Sequence, residues 1–161
     1  MSELRLCKED FLQYRALEVQ EKFYRQQLEE LRSKYLMADT VQNYCWNQVN
    51  TKKIENIRQI AYMREKALIE SLILDIIQKR WIVRRTIDMA ADNRNIEKSM
   101  QMVVALIVIR GETFERASYL TCMSKSSASR YFSRFFELSE VRKIFEQAVA
   151  DSKNNLRGLT V

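Results

Sequence analysis

The residues with the clearest chemistry lie in the segment SKSSASRYFSRFF, which begins at Ser124. The segment holds no acid, and its serines and cations include the candidate site residues: Lys125, Ser126, Ser127, Ser129, Arg130 and Arg134. On a helix, such residues suit the major groove of duplex DNA, because short leading side chains let base edges approach and cations neutralise phosphates. A solvated face of an ordinary helical bundle has the same pattern, so the pattern alone leaves both interpretations open.

Two residues before this segment predict how it is positioned. Gly111 follows an apolar run, at a place where a helix end needs a residue that tolerates positive φ. Thr113 then offers an N-cap for a short helix. The buried face of that helix is predicted from helical spacing to consist of Phe114, Ala117 and Leu120.

A second helix is predicted to start after Ser124 as its N-cap. Its inward face is predicted to consist of Ala128, Tyr131, Phe132 and Phe135. The two helices and their connection match a helix-turn-helix pattern with Ser118 at the small position of the first helix. The pattern has two departures, since Cys122 replaces the usual turn glycine and Thr121 replaces an aliphatic residue. A turn one residue longer, with Ala117 at the small position, therefore stays open.

The segment VVALIVIRGETFERASYLTCMSKSSASRYFSRF, which begins at Val103, resembles the promoter-reading C-terminal domain of sigma factors. In size and layout the chain is more similar to phage late-gene transcriptional activators of the RinA/ArpU type. The stretch FYRQQLEELRSKY from Phe23 resembles the N-terminal helix of those activators. The resemblance implies sequence-specific binding to a phage or mobile-element promoter. It also implies base-reading and phosphate-reading positions at Lys125, Ser126, Ser127, Ser129 and Arg130.

Composition predicts the fold class. The 161 residues are 47% hydrophobic and 30% charged, which is enough for one core or two small helical units. There is no proline, there are two glycines, and no window alternates apolar and polar residues as a strand does. The sequence therefore predicts an all-α protein with an N-terminal long-helix hairpin or coiled-coil-like unit followed by a C-terminal helix-turn-helix bundle. The net charge of +6 suits a polyanionic partner but is modest for this length.

The amino-terminal part is predicted to form two long helices, from about Lys8 to Tyr35 and from about Thr51 to Met89, joined by residues 37–51. The first has a heptad-like seam of Tyr14, Leu17, Glu21, Tyr24, Leu28, Leu31 and Tyr35. The second has two apolar stripes, one with Ile54, Ile57, Ala61, Leu68, Leu72 and Ile76 and one with Ile69, Ile73 and Ile77. So broad an apolar face needs cover on two sides. A homodimer is expected, and an intramolecular fold-back is the alternative.

The predicted domains are residues 1–90 for dimerisation or partner binding and residues 95–154 for DNA binding, with a hinge at 90–95. Asn95 is the expected cap of a helix from Ile96 to Arg110, and Ser139 the expected cap of a last helix to Asn154. A possible second basic patch consists of Lys79, Arg80, Arg84 and Arg85. It is predicted either to contact the DNA backbone or to be a solvated helix face.

Several function classes lack their residues. The chain has no histidine, and Cys7, Cys45 and Cys122 form no C-x-x-C pair, so no metal, cofactor or disulfide framework is expected. No Gly-rich phosphate loop or nucleophile elbow is present, and the chain is predicted not to be an enzyme. The apolar run from Met102 to Ile109 is too short to span a bilayer, and the N-terminal residues lack a signal-peptide pattern, so a cytoplasmic protein without membrane contact is expected.

Three functions are compatible with the sequence. The first is a DNA-binding transcriptional regulator whose N-terminal helices dimerise or contact RNA polymerase. The second is a small terminase-like DNA-packaging subunit, although such subunits usually carry the DNA-binding unit first. The third is a coiled-coil adaptor that does not bind DNA.

Overall fold

The computed structural model describes the backbone of residues 4–42 and 48–156, and the side chains of residues 4–36 and 57–154. Within these ranges every regular element is a helix and there is no strand, which confirms the predicted all-α class. The helices are α1 (Lys8–Leu12), α2 (Tyr14–Gln42), α3 (Gln48–Ala91), α4 (Lys98–Val104) with a π turn (Ala105–Ile109), α5 (Phe114–Leu120), α6 (Lys125–Phe135) and α7 (Ser139–Leu156). None of the described helices has the length and apolarity that a bilayer crossing requires.

The two long helices differ from the predicted ones at their ends. The predicted first helix is interrupted at Gln13, and α2 then continues past Tyr35 to Gln42. The predicted connection over 37–51 is wrong, because α3 begins at Gln48. Each polar residue in this stretch disfavours a helix by roughly 0.7 kcal/mol or less. The stretch contains no proline that would force a helix to end. Cys45 lies outside the described residues.

Contacts divide the chain into two units that differ from the predicted domains. The first unit consists of Met1–Glu18 and Gln78–Val161, and the second unit is Val19–Ile77. The predicted boundary at 90–95 does not separate them, because Phe11 and Ile87 share one buried core with the C-terminal helices. The start of the chain and the end of α3 therefore belong with the helices that follow them.

The core of the first unit is rich in phenylalanine. Phe11 is fully buried, with its ring centroid 5.1 Å from that of Phe136 and 6.2 Å from that of Phe145. Phe132 meets Phe136 edge to face at 5.2 Å. Such edge-to-face pairs add stabilisation beyond the area they bury. Aromatic packing thus connects α1 with α6 and α7.

The helix predicted from Ile96 to Arg110 begins at Lys98 instead, and Asn95 does not cap it. The backbone N–H of Asn95 donates to Asn93 Oδ1 at 2.9 Å. The side-chain amide of Gln101 donates to the carbonyl oxygens of Ala90, Asn93 and Ile96 at 2.7, 3.0 and 2.9 Å. One amide from inside α4 therefore ties down the turn that precedes the helix.

The π turn changes which residues α4 buries. Arg110 N donates to Ala105 O, five residues back, at 3.2 Å. The wider turn buries Leu106, Ile107 and Val108 in succession. In α4 and the π turn, Val103, Val104, Leu106 and Ile107 are buried and Ile109 is half-buried.

The second unit contains α2 from Val19 onward and α3 up to Ile77. The rings of Tyr35 and Tyr62 stack with their centroids 4.3 Å apart. Ile69 and Ile73 of the predicted second stripe are buried. The predicted first stripe is not a continuous buried face, because Ile57 and Leu68 are 67% and 63% exposed. The side chain of Ile54 lies outside the described residues.

Candidate nucleic-acid interface

Local hydrogen bonds define the start of α5 as the sequence predicted. Gly111 has a φ of 70°, the left-handed conformation that glycine adopts without steric cost. The Thr113 side chain accepts a hydrogen bond from Arg116 N at 3.2 Å and caps the helix. Ala117 is buried, but Leu120 is 41% exposed, so its predicted burial is wrong. Leu120 follows Phe114 by six residues, and six residues turn a helix about 120° short of two full turns. Leu120 therefore lies on a different face of α5 from Phe114.

The turn between α5 and α6 contains a residue in the left-handed conformation. Cys122 has a φ of 53° and is exposed, at the position where the pattern expects glycine. The backbone N–H of Met123 donates to Ser118 O at 3.0 Å. The Thr121 hydroxyl donates to Ala117 O at 2.7 Å, and the same carbonyl also accepts from Thr121 N at 3.0 Å. Both candidate small residues, Ala117 and Ser118, are buried.

Hydroxyl groups form a connected set at the start of α6. Ser124 Oγ accepts from Ser127 N at 3.1 Å, which confirms Ser124 as the N-cap. The same oxygen lies 2.9 Å from Ser126 Oγ and donates to Ser127 Oγ at 2.8 Å. The hydroxyls of the first turn are therefore already hydrogen-bonded to one another.

The inner face of α6 fixes the orientation of the helix. Ala128, Phe132 and Phe135 are buried as predicted, and Phe132 meets Phe114 edge to face at 5.4 Å. Tyr131 is half-buried, and its hydroxyl donates to Glu97 Oε1 at 2.7 Å. The Glu97 carboxylate raises the pKa of Tyr131 by accepting this hydrogen bond and by its negative charge. The helix is thus held on the side away from its cations.

The outer face of α6 carries most of the predicted site residues. Lys125, Ser126, Ser129, Arg130 and Arg134 are exposed, and Ser127 is half-buried. Among the described residues, no carboxylate is ion-paired with any of the three cations of α6. By contrast, cations on the long helices have such partners, as Arg25 has Glu21 at 2.8 Å. The outer face of α6 is therefore positively charged without local compensation.

The possible second basic patch is different, because its members include arginines that contact other side chains. The Arg80 guanidinium lies 5.2 Å from the ring centroid of Tyr14 and 3.9 Å from a Glu18 carboxylate oxygen. Arg84 Nε lies 3.0 Å from Asp88 Oδ2, and this hydrogen bond raises the pKa of Arg84. Arg85 is exposed and Lys79 is half-buried. The four residues do not form a cluster like that on α6.

Two residues of α5 that the sequence did not single out form a pair of a cation and an aromatic ring. The Arg116 guanidinium lies 5.5 Å from the ring centroid of Tyr119, which is 74% exposed. Their spacing of three residues is the available sequence signal, since such residues are neighbours on a helix surface. The pair places a cation and an aromatic ring on the helix that precedes the turn.

In the described part of the chain, no three cysteine, aspartate or glutamate side chains lie close enough together to bind a metal ion. Comparison of the chain with family models, curated proteins and solved structures finds no match in any of the three.

Proposed function

We propose that this chain is a sequence-specific double-stranded DNA-binding transcriptional regulator and not an enzyme. In this proposal, α5, the turn at Cys122 and α6 form a helix-turn-helix, and α6 enters the major groove. The observation that carries the proposal is the outer face of α6. It is exposed, contains no acid, and carries three cations without ion-pair partners among the described residues.

The geometry of α6 supports a proposal for the role of each residue. Ser126 and Arg130 are four residues apart at the centre of the outer face, directly opposite the buried face. Arg130 is therefore assigned to a base edge, where arginine binds guanine O6 and N7. Lys125 and Arg134 lie toward the two ends and are assigned to phosphates. Ser127 and Ser129 keep the helix surface low enough for close approach.

The resemblance to RinA/ArpU-type activators supports a phage or mobile-element promoter as the target. The proposal includes a homodimer and a contact with RNA polymerase through the long helices. A small terminase-like packaging subunit would also bind DNA. It is distinguished by mass in solution, because a packaging subunit forms a larger ring and a regulator a smaller assembly.

The decisive experiment compares DNA affinities of the purified full-length protein and its variants. Arg130→Ala is expected to weaken binding to the promoter duplex by about 1–3 kcal/mol and to leave binding to random duplex nearly unchanged. Lys125→Ala and Arg134→Ala are each expected to weaken binding to both duplexes. Each is also expected to lower the slope of log K against log salt by about 1, because one phosphate contact is lost.

Arg142→Ala on α7 is the matched control, since it removes an exposed arginine outside α5 and α6. It is expected to leave the affinity for the promoter duplex unchanged. If Lys125, Arg130 and Arg134 can all be replaced by alanine without loss of affinity, α6 is not the DNA-binding helix. If neutralising Lys79, Arg80, Arg84 and Arg85 then abolishes binding, the second basic patch is the interface.

A further inference from the structure

The outer face of α3 carries side chains that its own chain leaves exposed. Ile60 and Leu74 are 53% and 42% exposed, whereas Ile69 and Ile73 on the inner face of the same helix are buried. Six exposed residues of this face follow one another in alternating steps of three and four residues, which is the spacing of contact positions in a coiled coil. These residues, which we call the α3 seam, are Ile57, Ile60, Arg64, Ala67, Ser71 and Leu74.

A shallow groove of about 400 Å³ lies beside the α3 seam and shares three residues with it; the groove is lined by Gln59, Ile60, Met63, Arg64 and Ala67. Four of these residues have the spacing i, i+3, i+4 and i+7: Ile60, Met63, Arg64 and Ala67. In a coiled coil, four residues with this spacing form the hole that receives one side chain of the partner helix. The methyl side chain of Ala67 leaves the hole open. The seam thus has both large side chains to insert and a place to receive one.

Charge along α3 indicates the direction of the partner. On the side of α3 that carries the seam, residues 57–66 hold one cation, Arg64, whereas residues 67–78 hold two acids, Glu70 and Asp75, and no cation. A second α3 running antiparallel brings the basic half of each helix beside the acidic half of the other, twice by symmetry. A parallel second α3 would instead place Arg64 against Arg64 and acidic half against acidic half. The antiparallel arrangement is therefore self-complementary.

We propose that the α3 seam binds a second copy of this chain, with the two α3 helices antiparallel. The proposal rests on the homodimer in the proposed function and names its surface. The seam is about 27 Å long at 1.5 Å per residue. So short a two-helix contact lies at the low end of specific interfaces, below roughly 1,200 Å². The dimer is therefore reversible, and its population rises with protein concentration.

The test is sedimentation velocity of the full-length protein without DNA over a wide range of concentrations. Arg64→Glu and Glu70→Lys are each expected to weaken self-association by about tenfold, since each turns two symmetric attractions into repulsions. An equimolar mixture of the two variants is expected to associate as the unmodified protein does. In the mixed antiparallel dimer, the glutamate that replaces Arg64 in one copy faces the lysine that replaces Glu70 in the other copy. The attraction between the two helices is therefore restored.

Arg58→Glu is the control, because it makes the same charge change about 120° around the helix from Arg64. It is expected to leave self-association unchanged. Circular dichroism checks folding, since Glu70→Lys also removes an exposed ion pair with Lys66 at 3.7 Å. A protein that is monomeric at all concentrations overturns the proposal, and so does a mixture that stays dissociated. DNA titration of Arg64→Glu separates the two proposals, because loss of the dimer leaves the α6 face intact.

Discussion

Replacing Cys122 by glycine is expected to stabilise the protein. Cys122 has a φ of 53°, where a side chain's Cβ approaches the following carbonyl oxygen. This conformation costs a residue other than glycine roughly 1–2 kcal/mol. Glycine avoids that cost but loses about 0.5–1 kcal/mol more backbone entropy on folding. The difference predicts that Cys122→Gly raises the free energy of unfolding by about 0.5–1 kcal/mol.

The side chain of Cys122 has little packing to lose, because it is exposed. In a protein of this size, such a gain corresponds to a rise of roughly 1–4 °C in Tm. Urea unfolding followed by circular dichroism measures the free energy, and calorimetry measures Tm. Cys122→Ala is the control, since it removes the thiol and keeps Cβ. If glycine and alanine at this position give equal stability, the turn does not hold residue 122 in the left-handed conformation.

Two further predictions concern hydrogen bonds in the first unit. Glu97→Gln is expected to lower the pKa of Tyr131 toward the ordinary value of tyrosine. The measurement is a pH titration of phenol ionisation in the two proteins. An unchanged titration would mean that Glu97 does not act on Tyr131. The hydrogen bond from Tyr131 to Glu97 raises the pKa of Tyr131 in the folded state. Its contribution to the free energy of unfolding is therefore present below the ordinary pKa of tyrosine and is lost as pH rises through the raised pKa. Gln101→Leu is expected to lower the free energy of unfolding by about 1–3 kcal/mol, because three carbonyl oxygens lose one donor group. Equal stability of wild type and Gln101→Leu in urea would show that water replaces the amide.

The features that the sequence predicted correctly depend on nearby residues. Ser124 and Thr113 cap helices through backbone groups three residues away, so their types and positions are enough to identify them. Gly111 marks a helix end for the same reason, since φ is a property of one residue. The buried face of α6 followed from helical spacing, with Phe132 and Phe135 inward. These local signals also gave the exposed positions of the candidate interface.

The features that the sequence missed depend on residues far apart in the chain. Asn95 has the type of an N-cap, but the turn before α4 is held by Gln101, whose amide reaches Ala90 eleven residues back. The predicted domain boundary failed because Phe11 packs against residues more than a hundred positions later. Spacing along one helix gives no information on such partners. The same limit applies to Arg80, whose contact with Tyr14 compensates a cation that the sequence shows only as part of a basic cluster.

The burial of Phe11 also bears on how the protein forms during synthesis. The ribosome adds Phe136, the ring closest to Phe11 in the folded unit, 125 residues later. At about 5–20 residues per second, this takes roughly 6–25 s. Throughout that interval a large apolar side chain near the start of the chain lacks its native neighbours, while the segment 19–77 is already complete. The first unit therefore cannot complete its aromatic core until Phe136 and Phe145 have been synthesised.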